Sequence, residues 1–384
     1  MNNICNYNIL DLLFPSLSIF VIGFFIVYKI IKDYKISFIV SFLKSAIFFI
    51  YFSYLFNGYY TFLDDIKYYK LSQEYMNSFD LVDFLKNPES IMCFIGGKHV
   101  LYYLYNIIAF KLFGNFYFSP VALNIILTYI IAIYIYKILF LLDFNYKNYF
   151  IIFYLLNWDI LSWSEILNLK DFLVQFLTVF IIYHIIEFFE IKNYKNLLFI
   201  LISLFLLHFI RFYLVYLVLF STILFYIYIN KKFFLEFIIQ HKIVSILLVI
   251  GISTIVIIGI HNELLLFLSK LDNPIIGIIR FILTPLPFNI KEQYSFLLFA
   301  SWIDFLLFPF LIYGIYKFLS LDSKYKNFIF IYVSLIVIFY GCFSELQGVR
   351  HKIQILPFLF LFQFIGIIEF VKYMKQRIKK GKFE

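Results

Sequence analysis

Apolar segments, most of them about as long as a bilayer is thick, follow one another along the whole 384-residue chain. A membrane-spanning helix needs about 20 consecutive apolar residues. Hydrophobic residues make up 64% of the chain and charged residues only 14%, whereas soluble domains are about 45–50% apolar and about 25% charged. No water-soluble fold can bury this much Ile, Leu and Phe. The sequence therefore predicts an all-α polytopic membrane protein.

Lysine-rich turns separate the apolar segments and set the expected topology. We predict about 11 transmembrane helices, in 9–28, 36–56, 117–142, 148–161, 172–189, a hairpin of two in 196–229, 243–260, 295–317, 328–343 and 353–373. Every lysine-rich turn then falls on one side, which the positive-inside rule makes cytoplasmic. The N-terminus is expected outside and the C-terminus inside. The formal charge of +9 is accordingly an orientation signal, and we expect no nucleic-acid partner.

The chain is expected to form a single polytopic domain over 1–384. Residues 57–116 would be its first large extracytoplasmic loop, which ends in an interfacial helix over 99–113. Residues 374–384 would be a basic cytoplasmic tail. The lipid bilayer is the first expected partner.

Two adjacent carboxylates, Asp64 and Asp65, lie about eight residues beyond a predicted span in a chain with few acids. Most acids in loops are only solvated. Paired carboxylates are also how membrane glycosyltransferases deprotonate an acceptor or hold a divalent cation. The position of the pair favours a site at the outer membrane surface.

Arginine is rare, since only four of the 32 basic residues are arginines. Arg211, Arg280 and Arg350 all fall at the predicted outer boundary. Arginine binds phosphate through a planar fork of N–H groups and stays charged when it is desolvated. Each could instead reach toward lipid headgroups. The run Arg350, His351 and Lys352 is the strongest group, a compact cationic patch suited to a diphosphate.

Short motifs occur in a fixed order over most of residues 57–360. They are Asp64, Asp65 and Tyr68; Lys98, His99, Val100, Leu101, Tyr102 and Tyr103; Leu112, Phe113 and Gly114; Asp171; Pro285, Leu286 and Pro287; and Arg350, Lys352 and Pro357. Their order resembles the GT-C superfamily of polyprenyl-phosphate-sugar glycosyltransferases, especially its family 39 branch. In that branch the second acid is Glu where this chain has Asp65, and a proline stands where it has His99. An extra span also precedes the first loop.

The resemblance implies a GT-C-like fold and a bacterial inner-membrane enzyme with its site facing outside. It would move a sugar or oligosaccharide from a polyprenyl-phosphate carrier to a glycan or lipid acceptor. Asp64 would be the general base or the ligand of a divalent cation, Mg or Mn, and Asp65 would support it. The expected substrate- and phosphate-binding residues are Lys98, His99, Tyr102, Asp171, Arg211, Arg350, His351 and Lys352.

Two alternatives remain open at this point. Oligosaccharide repeat-unit polymerases fit the same features, because they also use outer-face arginines on a lipid diphosphate. A flippase or transporter of a lipid-linked glycan belongs to a different class. Charged residues spread along the spans at midplane depth would favour transport, whereas the sequence indicates that they cluster at one face.

Overall fold

The structure, a computed structural model of the chain, describes residue 5 and residues 7–76, 99–233, 273–343 and 347–380. The regular elements of these residues are all helical, with no strand among them. Seven of the helices are long and apolar enough to cross a membrane. The prediction of an all-α polytopic membrane protein is therefore confirmed for the part of the chain that is described.

The described helices are numbered here in chain order. They are α1 (Leu13–Ile31), α2 (Tyr34–Ile50), α3 (Leu63–Met76), α4 (Val100–Phe113), α5 (Phe118–Leu141), α6 (Lys147–Leu155), α7 (Trp158–Ile166), α8 (Asp171–Ile191), α9 (Tyr194–Ile229), α10 (Pro274–Leu283), α11 (Leu298–Leu319), α12 (Lys326–Cys342), α13 (Val349–Lys352) and α14 (Leu356–Lys380). Helix α5 is the most enclosed of the long helices. Helices α1, α4 and α8 pack against it, α9 packs against α8, and α14 packs mainly against α11.

The predicted total of 11 spans stays a prediction. The span expected over 243–260 and residues 77–98 of the first expected loop lie outside the described residues. Helix α12, at 17 residues, is about 26 Å long at 1.5 Å per residue, slightly less than the hydrocarbon thickness. Helix α4 begins and ends close to the predicted bounds, but much of its surface is buried against protein.

The single span expected over 148–161 is wrong as a continuous helix. The segment forms two nine-residue helices, α6 and α7, which are separated at Asn157. The backbone of Asn157 is extended, and its side chain accepts a hydrogen bond from the Asp159 N–H at 2.9 Å. This N-cap starts a new helix in a new direction. Each piece is about 14 Å long, too short to cross a bilayer alone.

Helix α9 reverses direction at Arg211, whose backbone is non-helical with φ −149° and ψ 83°. Near its start, Asn196 lies 2.9 Å from His184 Nδ1 on α8. Near its end, the Phe225 ring lies 5.4 Å from Phe189, only one and a half turns further along α8. A straight helix would hold Asn196 and Phe225 about 44 Å apart. The two arms therefore fold back on each other, as the sequence predicted for 196–229, with Arg211 at the tip.

Glycine contacts bring α11 and α14 unusually close. A Cβ on Gly314 would lie 1.7 Å from the carbonyl oxygen of Phe362, and one on Gly366 would lie 2.0 Å from that of Phe310. Only glycine fits at such a backbone approach. The close packing brings Asp304 of α11 within 3.5 Å of Gln363 of α14.

The helix bundle has two chemically different ends. Helix α8 runs from Asp171 at one end to Lys192 just beyond the other. At the second end Lys324 pairs with Glu190 at 3.5 Å, and the exposed basic residues at the end of α14 follow Lys372. The predicted lysine-rich turns among the described residues thus lie at the end opposite Asp171, which agrees with a common orientation for the spans.

We expect Asn57 and Asp322, both exposed, to lie on opposite sides of the membrane. The test is single-cysteine labelling with Asn57→Cys and Asp322→Cys in a chain whose native cysteines are serines. The impermeant reagent should reach Asn57→Cys in intact cells and Asp322→Cys only after permeabilisation, because the lysine-rich end is retained inside. Labelling of both from one side would contradict the topology.

Candidate functional site

A cavity of about 690 Å³ opens at the end of the bundle away from the lysine-rich turns. It lies where the starts of α3, α4 and α8 meet the bend of α9 and the short helix α13. Its lining is formed by Asp64, His99, Lys170, His208, Phe209, Ile210, Arg211, Phe212, Tyr213, Arg350 and His351. The volume falls in the range of small-molecule binding sites, about 300–1,000 Å³.

Asp171 is the carboxylate on which the cavity's two arginines converge. It is almost completely buried, and its Oδ1 accepts a hydrogen bond from Arg211 while its Oδ2 lies 3.3 Å from Nε of Arg350. Arg350 also donates from Nη1 to Asp64 Oδ2 at 3.0 Å. Asp171 opens α8, where an acid interacts favourably with the helix dipole. One buried acid therefore fixes two guanidinium groups from distant parts of the chain.

The guanidinium of Arg211 has a donor group that is not used within the described structure. Its Nη1 is buried and has no hydrogen-bond partner among the described residues. The bend of α9 is what places this side chain on the cavity wall. An unpaired N–H of a buried cation is costly, so an anionic oxygen from a ligand would be stabilised there.

Lys170 and His99 form a second polar pair on the wall. The Lys170 Nζ lies 2.6 Å from His99 Nε2, and His99 Nδ1 lies 3.0 Å from the carbonyl oxygen of Ile210. We assign the ring proton to Nδ1, so that His99 donates to Ile210 and accepts from Lys170. Burial and then the charge of Arg211 lower the pKa of Lys170 to about 7. Burial and then Lys170 lower the pKa of His99 to about 4.

Asp64 and Asp65 point in different directions, as expected for neighbours on a helix. The side chain of Asp64 is 58% exposed and faces Arg350. Asp65 is fully buried and accepts a hydrogen bond from the Tyr117 hydroxyl at 2.8 Å. Burial raises the pKa of Asp65 to about 7, and the Tyr117 contact opposes that rise. Asp64 is thus the member of the pair that reaches the cavity.

Buried amide and hydroxyl groups support the loop that carries Lys170 and Asp171. Asn168 Nδ2 donates to Asn106 at 2.7 Å, and its Oδ1 accepts from the Tyr102 hydroxyl at 2.6 Å. Tyr102 is therefore a support beneath the cavity and does not line it. Sequence reasoning named Asn106 and Asn168 nowhere, because neither stands in a motif.

Lys352 does not join Arg350 in the cavity, contrary to the expected cationic patch. It is buried, and its Nζ donates to Asp304 at 2.8 Å. His351 does line the cavity, with its ring 5.1 Å from that of Tyr340. Lys98 lies outside the described residues. Of the expected ligands, the structure brings together Asp64, His99, Asp171, Arg211, Arg350 and His351.

The cavity also contains a cation that the expected site lacked. Lys170 directly precedes Asp171, and its position beside an acid at a helix start was the available signal. With Lys170 charged, three cations stand against the carboxylates of Asp64 and Asp171. The wall therefore carries a net charge of about +1.

A divalent cation fits these donors poorly as they are arranged. The described residues contain no group of three or more His, Cys, Asp or Glu side chains that could hold a metal. Asp64 Oδ2 and both oxygens of Asp171 are engaged by guanidinium groups. Arginine would have to leave before Mg²⁺ or Mn²⁺ could bind to these carboxylates.

Buried charges also occur away from the cavity, which corrects the expectation that they cluster at one face. Lys44 lies about 15 Å along α2 from its start and pairs with Glu165 of α7 at 3.3 Å. Both side chains are completely buried. Buried Lys352 and partly buried Asp304 form a further pair.

No family model, curated protein or solved structure matches this chain. Function is therefore argued from the chemistry of the site alone.

Proposed function

We propose that the protein is a membrane glycosyltransferase that takes a sugar or oligosaccharide from a polyprenyl-phosphate carrier and passes it to an acceptor at the same membrane surface. The observation that carries the proposal is the cavity wall, where Arg211, Arg350 and Lys170 stand beside the exposed carboxylate of Asp64. Phosphate is the ligand class that suits two arginines and a lysine in a partly desolvated site.

A lipid carrier is supported by the apolar side of the cavity. The bend of α9 supplies Phe209, Phe212 and Tyr213 next to Arg211. Phe212 is 59% exposed, and Tyr216, one turn further along, is 62% exposed. A polyprenyl chain would remain in the bilayer against these rings while its phosphate reaches the guanidinium groups. A water-soluble nucleotide-sugar donor has no lipid chain that would contact these exposed rings.

The transfer step can be written with the groups present. The acceptor hydroxyl attacks the anomeric carbon, the new glycosidic C–O bond forms, and the bond from that carbon to the phosphate oxygen breaks. Asp64 accepts the hydroxyl proton as general base. The leaving phosphate gains a negative charge, which Arg211, Arg350 and Lys170 stabilise because they are already held in place.

Charge favours a carrier with one phosphate. A sugar phosphodiester carries a single negative charge, which balances the excess of about +1 on the wall. A diphosphate carries two and would need the cation that Lys352 was expected to supply. A repeat-unit polymerase acting on a lipid diphosphate is therefore the weaker of the two transferase proposals.

Transport of a lipid-linked glycan is a second candidate function. The observation that favours it is the Lys44–Glu165 pair, since buried charges within spans mark ion and substrate pathways in transporters. The pair is sealed from water at both residues, whereas the cavity is open and contains a candidate base. We therefore place transfer first.

In cells, the lysine-rich end of the bundle would face the cytoplasm. The cavity would then open on the outer surface of a bacterial cytoplasmic membrane. The acceptor would be a glycan or lipid at that surface.

The test is reconstitution of the purified chain with a polyprenyl-phosphate sugar and a glycan acceptor. Transfer is measured as glycosylated acceptor together with released polyprenyl phosphate. A flippase assay on the same vesicles follows movement of the lipid across the bilayer. Movement without transfer, for every donor and acceptor tried, would overturn the enzyme proposal in favour of transport.

Lys170 predicts a pH dependence of donor binding. Its pKa of about 7 means that it is charged below and neutral above that pH, and an anionic donor binds the charged form. We expect the KM for the donor to rise by up to about tenfold per pH unit above 7. Lys170→Arg should give a flat profile between pH 6 and pH 9.

The same comparison separates Lys170 from its neighbours. Asp64, Asp171, Arg211 and Arg350 face the same space, and the pKa of Asp65 lies in the same range. These groups are unchanged in Lys170→Arg, so any pH dependence of KM that persists belongs to them. An identical rise in KM for both proteins would show that titration of Lys170 does not cause the pH dependence.

A further inference from the structure

A buried carboxyl group, that of Asp159, meets a partly buried one, that of Asp304, beside α13, with too little positive charge to balance them. Asp159 of α7 lies within hydrogen-bonding reach of the Asp304 carboxyl group of α11. Lys352 lies beside them, and its Nζ donates to Asp304 at 2.8 Å. Asp159 and Lys352 are 2% and 3% exposed. With both acids ionised, this group of three would carry a net charge of −1 inside the protein.

A contact between two carboxylates joins two acceptors, so it is repulsive unless a cation lies between or beside them. Two carboxyl groups in hydrogen-bonding contact do not both ionise without such a cation. Asp159 also lacks a donor, because its buried Oδ2 accepts no hydrogen bond from the described residues.

Gln363 supplies an independent indication of a ligand at the same place. It is 4% exposed, and its Nε2 points to Asp304 Oδ1 at 3.5 Å. Its Oε1 is buried and unpartnered within the described part of the chain. A void of about 10 Å³ touches Asp304, Lys352 and Gln363, and the rest of its lining is apolar. That space holds about one water-sized particle.

We propose that Asp159, Asp304, Lys352 and Gln363 form a binding site for one monovalent cation, either a hydrogen ion or Na⁺. The void is too small for an organic ligand, and the unpartnered atoms are all acceptors. One positive charge makes the group neutral. A divalent ion would leave it with a net charge of +1 and would compete directly with the Lys352 ammonium.

The site is separate from the cavity but connected to it through α13. Lys352 binds Asp304, and Arg350, two residues earlier, binds Asp64 and Asp171. Occupation of the cation site therefore holds one side of the short helix that positions Arg350. The inference does not depend on glycosyl transfer, because its tests use only binding and stability.

The first test is difference infrared spectroscopy of the purified full-length protein in sodium-free buffer. A hydrogen ion on the pair gives a carboxylic C=O band that persists at pH 7, and Asp159→Asn should remove it. The control Asp322→Asn changes an exposed acid at the other end of the bundle and should keep it. Asp304→Asn serves as the second variant if Asp159→Asn fails to fold.

The second test is thermal unfolding in NaCl against choline chloride at equal ionic strength. If Na⁺ is the ligand, NaCl should give a saturable rise in Tm and abolish the carboxylic band, and Asp159→Asn should lose that rise. If the hydrogen ion is the ligand, Tm should fall as pH rises toward the pH at which the band disappears and should level off above it, because only the folded state keeps the hydrogen ion in that range. Asp159→Asn should lose this part of the fall.

The proposal is overturned if the wild type and Asp159→Asn have the same carboxylic bands, the same response to Na⁺ and the same pH dependence of Tm. If the wild type shows the cation response but catalyses no transfer, only the proposed function is contradicted. Normal transfer with no cation response would contradict this site alone.

Discussion

Asp64→Asn is expected to lower glycosyl transfer by about 10²–10⁴-fold, because it removes the general base and leaves the shape of the side chain almost unchanged. Asp64 reaches the cavity from the first turn of α3, with 58% of its side chain exposed. An amide can still accept the 3.0 Å hydrogen bond from Arg350. The measurement is kcat for acceptor glycosylation with the reconstituted protein, together with its Tm.

Asp65→Asn is the matched control. It makes the same chemical change one residue away, but at a buried side chain that accepts from Tyr117. Burial already holds the pKa of Asp65 near 7, so an uncharged amide should be tolerated and transfer should fall far less than for Asp64→Asn. Full activity in the Asp64→Asn, Asp65→Asn double variant would exclude carboxylate base catalysis at this site.

The division between Asp64 and Asp65 was predictable from the sequence, but the partner of the inward acid was not. Adjacent residues on any regular backbone point apart. The inward acid, Asp65, meets the Tyr117 hydroxyl, 52 residues away. Contacts at such a separation depend on how helices pack, which apolar periodicity does not specify.

Lys352 shows the same limit at shorter range. The sequence predicted a single cationic patch in an outer loop, formed by Arg350, His351 and Lys352. The residues are instead part of a helical turn, α13. Successive residues in a helix are about 100° apart, so Arg350 and Lys352 point to nearly opposite sides. Arg350 reaches the cavity and Lys352 reaches Asp304. Whether the two side chains share one patch or point apart depends on the backbone conformation, which the sequence did not reveal.

The reversal of α9 was predicted from length alone, because a 34-residue apolar stretch between two lysine-rich turns has room for two crossings. The break of α6 from α7 was not predicted, although the polar residues Asn157 and Asp159 stand at it. The Lys44–Glu165 pair could not be predicted from the sequence either. A lysine within a predicted span gives no indication of which distant acid it will meet.

Arg350→Ala is the second large effect that the structure predicts. Truncating one member of a desolvated charge contact costs about 2–5 kcal/mol, which corresponds to a loss of about 30- to 5,000-fold in kcat/KM for the lipid donor. The protein should still fold and insert, because Asp171 keeps its contact with Arg211 and Asp64 is free to be solvated. Arg377→Ala, in the exposed basic tail, is the control and should transfer normally.

Arg350→Lys separates charge from geometry. The guanidinium of Arg350 spans two carboxylates, with Nε on Asp171 and Nη1 on Asp64. A lysine ammonium is a single point of charge and does not reproduce that fork. If Arg350 acts by holding Asp64 in position as well as by binding phosphate, Arg350→Lys should recover donor KM more than kcat. Recovery of both would reduce Arg350 to a phosphate-binding charge, and normal kcat/KM in Arg350→Ala would remove it from the site altogether.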